Sequence, residues 1–191
     1  MNSILLKSIA RVQVGYQART SLKESADGTH RIIQSKDFDS NHVLQKDSLS
    51  AFFPERDWKL YSASKGDILF QARGKDHFAC CIEEDLPDTL AAGSFYIIHL
   101  KTKEILPEYL AWWLNQAHAQ TYIRSRARGT GISFVSKEVL SKFNIKIPPT
   151  SIQQKIISII KIWQREKSLR EKLTECRSRL VKGICLNAIR K

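Results

Sequence analysis

The sequence predicts an α+β globular domain over residues 1–150, followed by one long α-helix over residues 151–191. Three observations predict this. Short β-rich runs alternate with helical stretches through the first part. Pro148-Pro149 then interrupts the chain, because proline ends strands and disfavours helix in the residue before it. Beyond it, apolar residues recur at helical spacing with no further proline and a single glycine.

In the first part, Lys65-Gly66 leads into a strand over 67–72, and 78–82 and 95–100 are two more β-rich runs. Pro107 occupies its favoured first position in a helix that is expected to run to Arg128-Gly129, with Leu106, Leu110, Trp113 and Ala117 as its buried stripe. Ser136 is placed to cap a short helix that has Glu138 in its first turn. Phe143, Ile145 and Ile147 alternate with Asn144 and Lys146, which predicts a closing strand before the double proline.

In the second part, Ser151 with Gln154 forms a capping-box pattern, so a helix is expected from about Ile152. Ile152, Ile156, Ile159 and Trp163 share one face, and Leu169, Leu173, Cys176 and Leu180 follow the four-three alternation of a heptad seam. At 1.5 Å per residue the helix would span about 55–60 Å, too long to bury its stripe on a 150-residue globule. It is expected to project and to need a covering partner. A helix folded back on its own domain, or broken at Gly183, is the alternative.

The chain is 42% hydrophobic and 26% charged, which excludes global disorder. Its 31 Lys and Arg against 19 acids give a net charge of +12. Residues 151–191 hold eleven of these cations and three acids, a net +8 in about a fifth of the chain. Such an excess favours a polyanionic partner, nucleic acid before anionic membrane. No run approaches the ~18 apolar residues needed to cross a bilayer, and the N-terminus lacks the features of a secretory signal. Cys80, Cys81, Cys176 and Cys185 form no CxxC, so a reduced, cytoplasmic protein without disulfides is expected.

Catalytic patterns are missing. Gly66 to Lys75 has the wrong glycine spacing for a P-loop, and no Ser or Thr follows the lysine. His77, Cys80 and Cys81 form one short cluster, insufficient for a closed zinc site, so no metal is expected. Asp57-Trp58-Lys59 holds half of a nuclease signature and reads as a surface turn. Ile147-Pro148-Pro149-Thr150 matches only the prolines of an adenine-methyltransferase tetrad.

Three stretches suit a polyanion. Arg124, Arg126 and Arg128 precede Gly129-Thr130-Gly131 and Ser133. Arginine reaches phosphates and guanine edges bidentately, and glycine lets a backbone approach closely. Arg73-Gly74-Lys75 is a second basic loop of similar make-up, and Tyr16 to Thr20, with Arg19 and Thr20, is a third. For each, an ordinary solvated turn or helix end is the competing reading.

In this order the motifs resemble the DNA specificity subunit of type I restriction-modification systems. The resemblance runs over Leu6-Lys7-Ser8-Ile9-Ala10 with Gly15, Lys65 to Leu69 reaching Arg73-Gly74, and Ala92-Gly93-Ser94. It continues over Leu106 to Leu110 with Leu114, then Gly129 to Ile132, Ile145 to Pro149, and Gln153-Gln154-Lys155-Ile156. It covers essentially the whole chain. It implies a target recognition domain over 1–150 that reads half of a bipartite site in double-stranded DNA. It further implies a helical spacer over 151–191. No catalytic residue and no cofactor fall to such a subunit. Methylation and cleavage belong to an adenine-methyltransferase subunit and a restriction subunit, which would be its partners.

Full-length family members carry two recognition domains and two helices, whereas one of each is present here. A homodimer is therefore expected, built by antiparallel packing of the helices through Ile162, Leu169, Leu173, Cys176 and Leu180, against the opposition of their excess positive charge. A stand-alone DNA-modifying or DNA-cleaving enzyme, or a basic scaffold protein without sequence readout, are the other readings the sequence leaves open.

Overall fold

The computed structural model describes residues 3–18, 22–55, 57–129 and 131–189. The chain divides into two compact units, Met1–Thr150 and Ser151–Lys191. The first begins with β1 (Ser3–Leu5), α1 (Leu6–Ile9) and β2 (Ala10–Val14), then β3 (His30–Ile33), β4 (Ser50–Phe52), β5 (Ile68–Gln71) and β6 (Arg73–Gly74). It continues with β7 (Ala79–Cys81), β8 (Thr89–Ala91), β9 (Phe95–Leu100), α2 (Pro107–Leu114) and α3 (Ala117–Arg124). It closes with β10 (Ser133–Phe134), α4 (Lys137–Ser141) and β11 (Asn144–Lys146).

Among the described residues the main sheet is antiparallel, in the order β2-β9-β5-β7, and a second sheet runs β4-β3-β8 with β3 and β8 parallel. Two short ribbons, β1 with β11 and β6 with β10, complete the unit. The apolar runs at 68–70 and 95–98 lie buried at every position, as inner strands covered on both faces must. Leu69, Phe95 and Ile97 meet Ile33, Phe78 and Ala91 in one core cluster, with Phe38 packed against Phe78 at 5.0 Å between ring centroids. Each such large side chain contributes roughly 1.5–3 kcal/mol by leaving water.

The strands expected at 67–72, 78–82 and 95–100 form, as does the closing strand, in which Ile145 is buried between exposed Asn144 and Lys146. The Ser136 hydroxyl accepts the Val139 N–H at 3.3 Å and caps α4 as expected. The single helix expected from Pro107 to Arg128 is instead two, α2 and α3, broken at Asn115-Gln116. The buried stripe shifts accordingly. Tyr109, Leu110, Ala111 and Leu114 are buried, Leu106 and Trp113 are partly exposed, and Ala117 begins a new helix exposed. The break has a specific cause. The Asn115 side chain accepts the Ala79 N–H at 2.8 Å and donates to the Ala79 carbonyl at 2.7 Å, so it pairs like a peptide with the edge of β7.

The second unit is α5, a 40-residue helix over Thr150–Ile189, starting two residues before the expected Ile152. It runs unbroken through Gly183, which removes the reading of a helix interrupted there. Every described residue from 161 to 189 is exposed. Among the described residues, no helix is long and apolar enough to cross a membrane.

Candidate nucleic-acid interface

Two basic segments that lie far apart in sequence meet on one small ladder. Strand β5 ends at Gln71, and Ala72 and Arg73 both donate their N–H groups to the Ser94 carbonyl, at 2.9 and 3.0 Å. This turns the chain into β6, where Gly74 pairs with Ser133 and Arg73 with Phe134. On the other side, Arg128 and Phe134 exchange both backbone hydrogen bonds, at 2.9 and 2.7 Å. Directly opposed residues present their side chains on one face. Arg128, Phe134 and Arg73 therefore stand in a row, and the Arg73 guanidinium lies 5.5 Å from the Phe134 ring centroid, a cation–π contact.

The 128–134 loop is tight because of Gly129, whose φ of +108° is a conformation that side chains rarely adopt. A Cβ there would meet the Ile132 carbonyl oxygen at 2.5 Å. The loop leaves Ile132 69% exposed beside the arginines. Its second strand is fastened from below. The Val135 N–H donates to the Ala72 carbonyl at 2.8 Å, and the Tyr96 phenol donates to the Val135 carbonyl at 2.9 Å. Burial pushes that phenol's pKa above its usual range.

A buried histidine locks the two segments together. The His77 Nδ1 lies 2.9 Å from the Gln71 carbonyl, which can only accept, so Nδ1 carries the proton and donates. Nε2 lies 2.6 Å from the Ser133 hydroxyl oxygen, and that hydroxyl donates to the Gly74 carbonyl at 3.1 Å. His77 stacks parallel to Phe70, at 6.3 Å between ring centroids. Sequence reasoning passed over His77 as a member of a poor metal cluster and gave no role to Phe134 or Ile132. Among the described residues no group of three or more His, Cys, Asp or Glu could hold a metal ion.

The expected contact residues fall as follows. Arg73, Gly74, Arg128, Gly129 and Ser133 belong to the ladder and its loop, and Lys75 follows β6, exposed. Ser133 spends its hydroxyl on bracing. Arg124 is exposed in the last turn of α3. Arg126 folds back on that helix. Its guanidinium lies 4.0 Å from the Tyr122 ring centroid and donates to the Ser125 hydroxyl at 3.0 Å. Arg19, Thr20 and Thr130 lie outside the described residues. Glu138 is a nearby acid. Its carboxyl is held below the usual range by a hydrogen bond and charge from Lys142, with Arg128 adding to the effect.

The fold is similar to solved specificity subunits. The type I restriction-modification S subunit from M. genitalium matches with a TM-score of 0.60 at 13% identity, over 86% of this chain and 39% of that one. The HsdS subunit from Thermoanaerobacter tengcongensis matches with a TM-score of 0.60 at 14% identity, over 86% and 37%. A chain from a structure describing complex assembly and conformational transition of the type I R-M system gives a TM-score of 0.64 at 16% identity, over 95% and 43%. Among curated proteins, the type I restriction enzyme EcoEI specificity subunit of Escherichia coli is 29% identical over 105 residues, 52% of this chain and 18% of the relative. The chain thus spans about a fifth of that curated relative and about two fifths of the solved chains. The model of the type I restriction modification DNA specificity domain matches residues 2–175, most of the chain, and the protein belongs to that family.

Proposed function

We propose that residues 1–150 form a recognition unit that reads one half of a bipartite site in double-stranded DNA. In this reading the unit belongs to a type I restriction-modification specificity subunit and directs a methyltransferase and a restriction subunit to the site. The observation that carries it is the Arg73–Phe134–Arg128 row. Folding turns two basic segments into a single exposed cationic edge, supported by a buried histidine and a tight glycine loop. Arginines held on a rigid ladder are prearranged for phosphates and guanine edges, and each bidentate base contact discriminates by roughly 1–3 kcal/mol. Lys75 and Arg124 add charge that would position the backbone without reading sequence. The chemistry of methylation and cleavage lies with the partner subunits, and α5 couples the recognition unit to them as a spacer.

The test is a titration of labelled duplex DNA with the chain, in the presence of the methyltransferase subunit, at several salt concentrations. Binding should weaken linearly in log–log form, with a slope of about 0.9 per neutralised phosphate. Arg73→Ala with Arg128→Ala should weaken binding more than Arg165→Ala with Lys167→Ala on α5. A flat salt response, or greater damage from the α5 pair, would overturn the reading. Methylation or cleavage by the purified chain alone would favour a stand-alone enzyme instead.

A further inference from the structure

The apolar seam on α5 is bare, and its flanks are uniform in charge. Ile159, Ile162, Leu169, Leu173 and Leu180 follow the heptad alternation and are 51–69% exposed. Cys176 completes the row, also exposed. The seam runs from 159 to 180, about 30 Å of helix at 1.5 Å per residue. Its one charged position, Glu166, is held by Arg170 of the same helix at 2.6 Å. Between 162 and 180, six residues border this seam: Arg165, Lys172 and Arg179 on one side, Trp163, Arg170 and Arg177 on the other. Five of the six are cations and none is an acid. The remaining acids of the helix, Glu171 and Glu175, lie on faces away from the seam.

Border residues decide which helix an apolar seam accepts. In an antiparallel pair each border faces its own counterpart, and in a parallel pair each faces the other border. Because five of the six border residues of α5 are basic and none is acidic, a second copy would set cation against cation along most of the seam in either orientation. Like charges brought together across an interface work against the wrong partner more than they weaken the right one. A homodimer, which the seam by itself suggests, therefore carries a built-in opposition.

We propose that α5 docks a helix of opposite character, one with an apolar seam bordered by glutamates or aspartates, and that this charge pattern rejects self-pairing. The inference rests on α5 alone and stands whether or not the recognition unit reads DNA.

The experiment uses the full chain and three labelled synthetic helical peptides. One has an isoleucine–leucine seam with glutamate borders, the second the same seam with lysine borders, and the third glutamate borders with a polar seam. Fluorescence anisotropy at low and moderate salt should show the first binding at least about tenfold tighter than either other, and weakening as salt screens the borders. Leu173→Asp with Leu180→Asp should abolish that binding while α5 remains helical by circular dichroism. Reversing the five border cations to Glu should switch the preference to the lysine-bordered peptide. Sedimentation of the wild-type chain should give a monomer at micromolar concentration in low salt. Four results each overturn the proposal: a wild-type dimer under those conditions, equal binding of the glutamate and lysine peptides, equal binding of the peptide with the polar seam, or no binding of the first peptide.

Discussion

His77 and Ser133, 56 positions apart in sequence, are joined by a 2.6 Å hydrogen bond beneath the cationic edge. The bond links the loop after β6 to the strand that follows the arginine-rich helix end. The same imidazole holds the Gln71 carbonyl at 2.9 Å, so one buried side chain fixes both the exit from the main sheet and the loop it supports. Arginines held in place before any ligand arrives avoid the affinity that ordering them during binding would cost.

His77→Ala is expected to destabilise the chain by about 1–3 kcal/mol, since the Gln71 carbonyl and the Ser133 hydroxyl both lose a partner. Ser133→Ala removes only the hydroxyl and should cost less. If the 2.6 Å contact is a working hydrogen bond, the two changes together should fall short of additivity by about 1 kcal/mol in denaturant unfolding. Strict additivity would show that the residues do not act as a pair.

Gly129 and Gly131 sit in the same loop and should respond in opposite ways. Gly129→Ala forces a side chain into a φ of +108° and a 2.5 Å approach to the Ile132 carbonyl, and should cost about 1–3 kcal/mol. A Cβ on Gly131 meets nothing within 4 Å. Gly131→Ala should be neutral, or stabilising by about 0.4–1 kcal/mol through the unfolded chain. Thermal unfolding of the two variants checks the pair, and equal melting temperatures would refute the loop geometry.

Much of this architecture was legible in local pattern. The runs at 67–72 and 95–100 declare buried strands and the double proline declares the start of α5, because prolines and apolar periodicity act within a few residues. The capping box expected at Ser151 and Gln154 does not mark that start, since α5 begins at Thr150 with Ser151 already inside it. The arginines could be named as candidates from composition alone. Their meeting with Arg73 could not, because it depends on the pairing of β6 with β10 across about sixty residues, which no local spacing encodes. The part of Phe134 was hidden for the same reason. The break between α2 and α3 was missed because Asn115 is acceptable inside a weak helix and acts only when β7 lies beside it. In α5 the seam was evident, but the borders gain meaning only once the heptad frame is carried across every position.

Alkaline pH should destabilise the first unit through Cys80. Burial, followed by the charge of Glu83, raises its thiol from an ordinary 9.0 to about 11. The unfolded thiol therefore loses its proton first as pH rises. Stability from this group is complete below pH 9.0 and falls between there and about 11. The loss is up to about 2–3 kcal/mol for a two-unit difference. Cys80→Ala should remove that part of the pH dependence. At pH 8, iodoacetamide should modify exposed Cys176 and Cys185 well before Cys80, as read by mass spectrometry of the intact and digested chain.

Asn115→Ala tests whether one side chain both ends a helix and finishes a sheet. β7 is an edge strand, and the backbone of Ala79, a residue only 3% exposed, uses the Asn115 amide as a substitute neighbour. Alanine supplies neither donor nor acceptor, so the Ala79 N–H and carbonyl are left unpaired near the core. Each orphaned group costs about 1–3 kcal/mol, and the variant should lose about 2–4 kcal/mol in total. Alanine also favours helix more than asparagine does, which would offset a few tenths of a kcal/mol and could join α2 to α3. The discriminating measurement is hydrogen exchange at the Ala79 amide. In the wild type that amide should be protected, and in Asn115→Ala it should exchange far faster while the Leu69 and Ile97 amides, in the inner strands β5 and β9, keep their protection. If Ala79 stays protected in the variant, the edge of β7 is satisfied by something other than Asn115, and the account of the helix break given by this pairing is wrong.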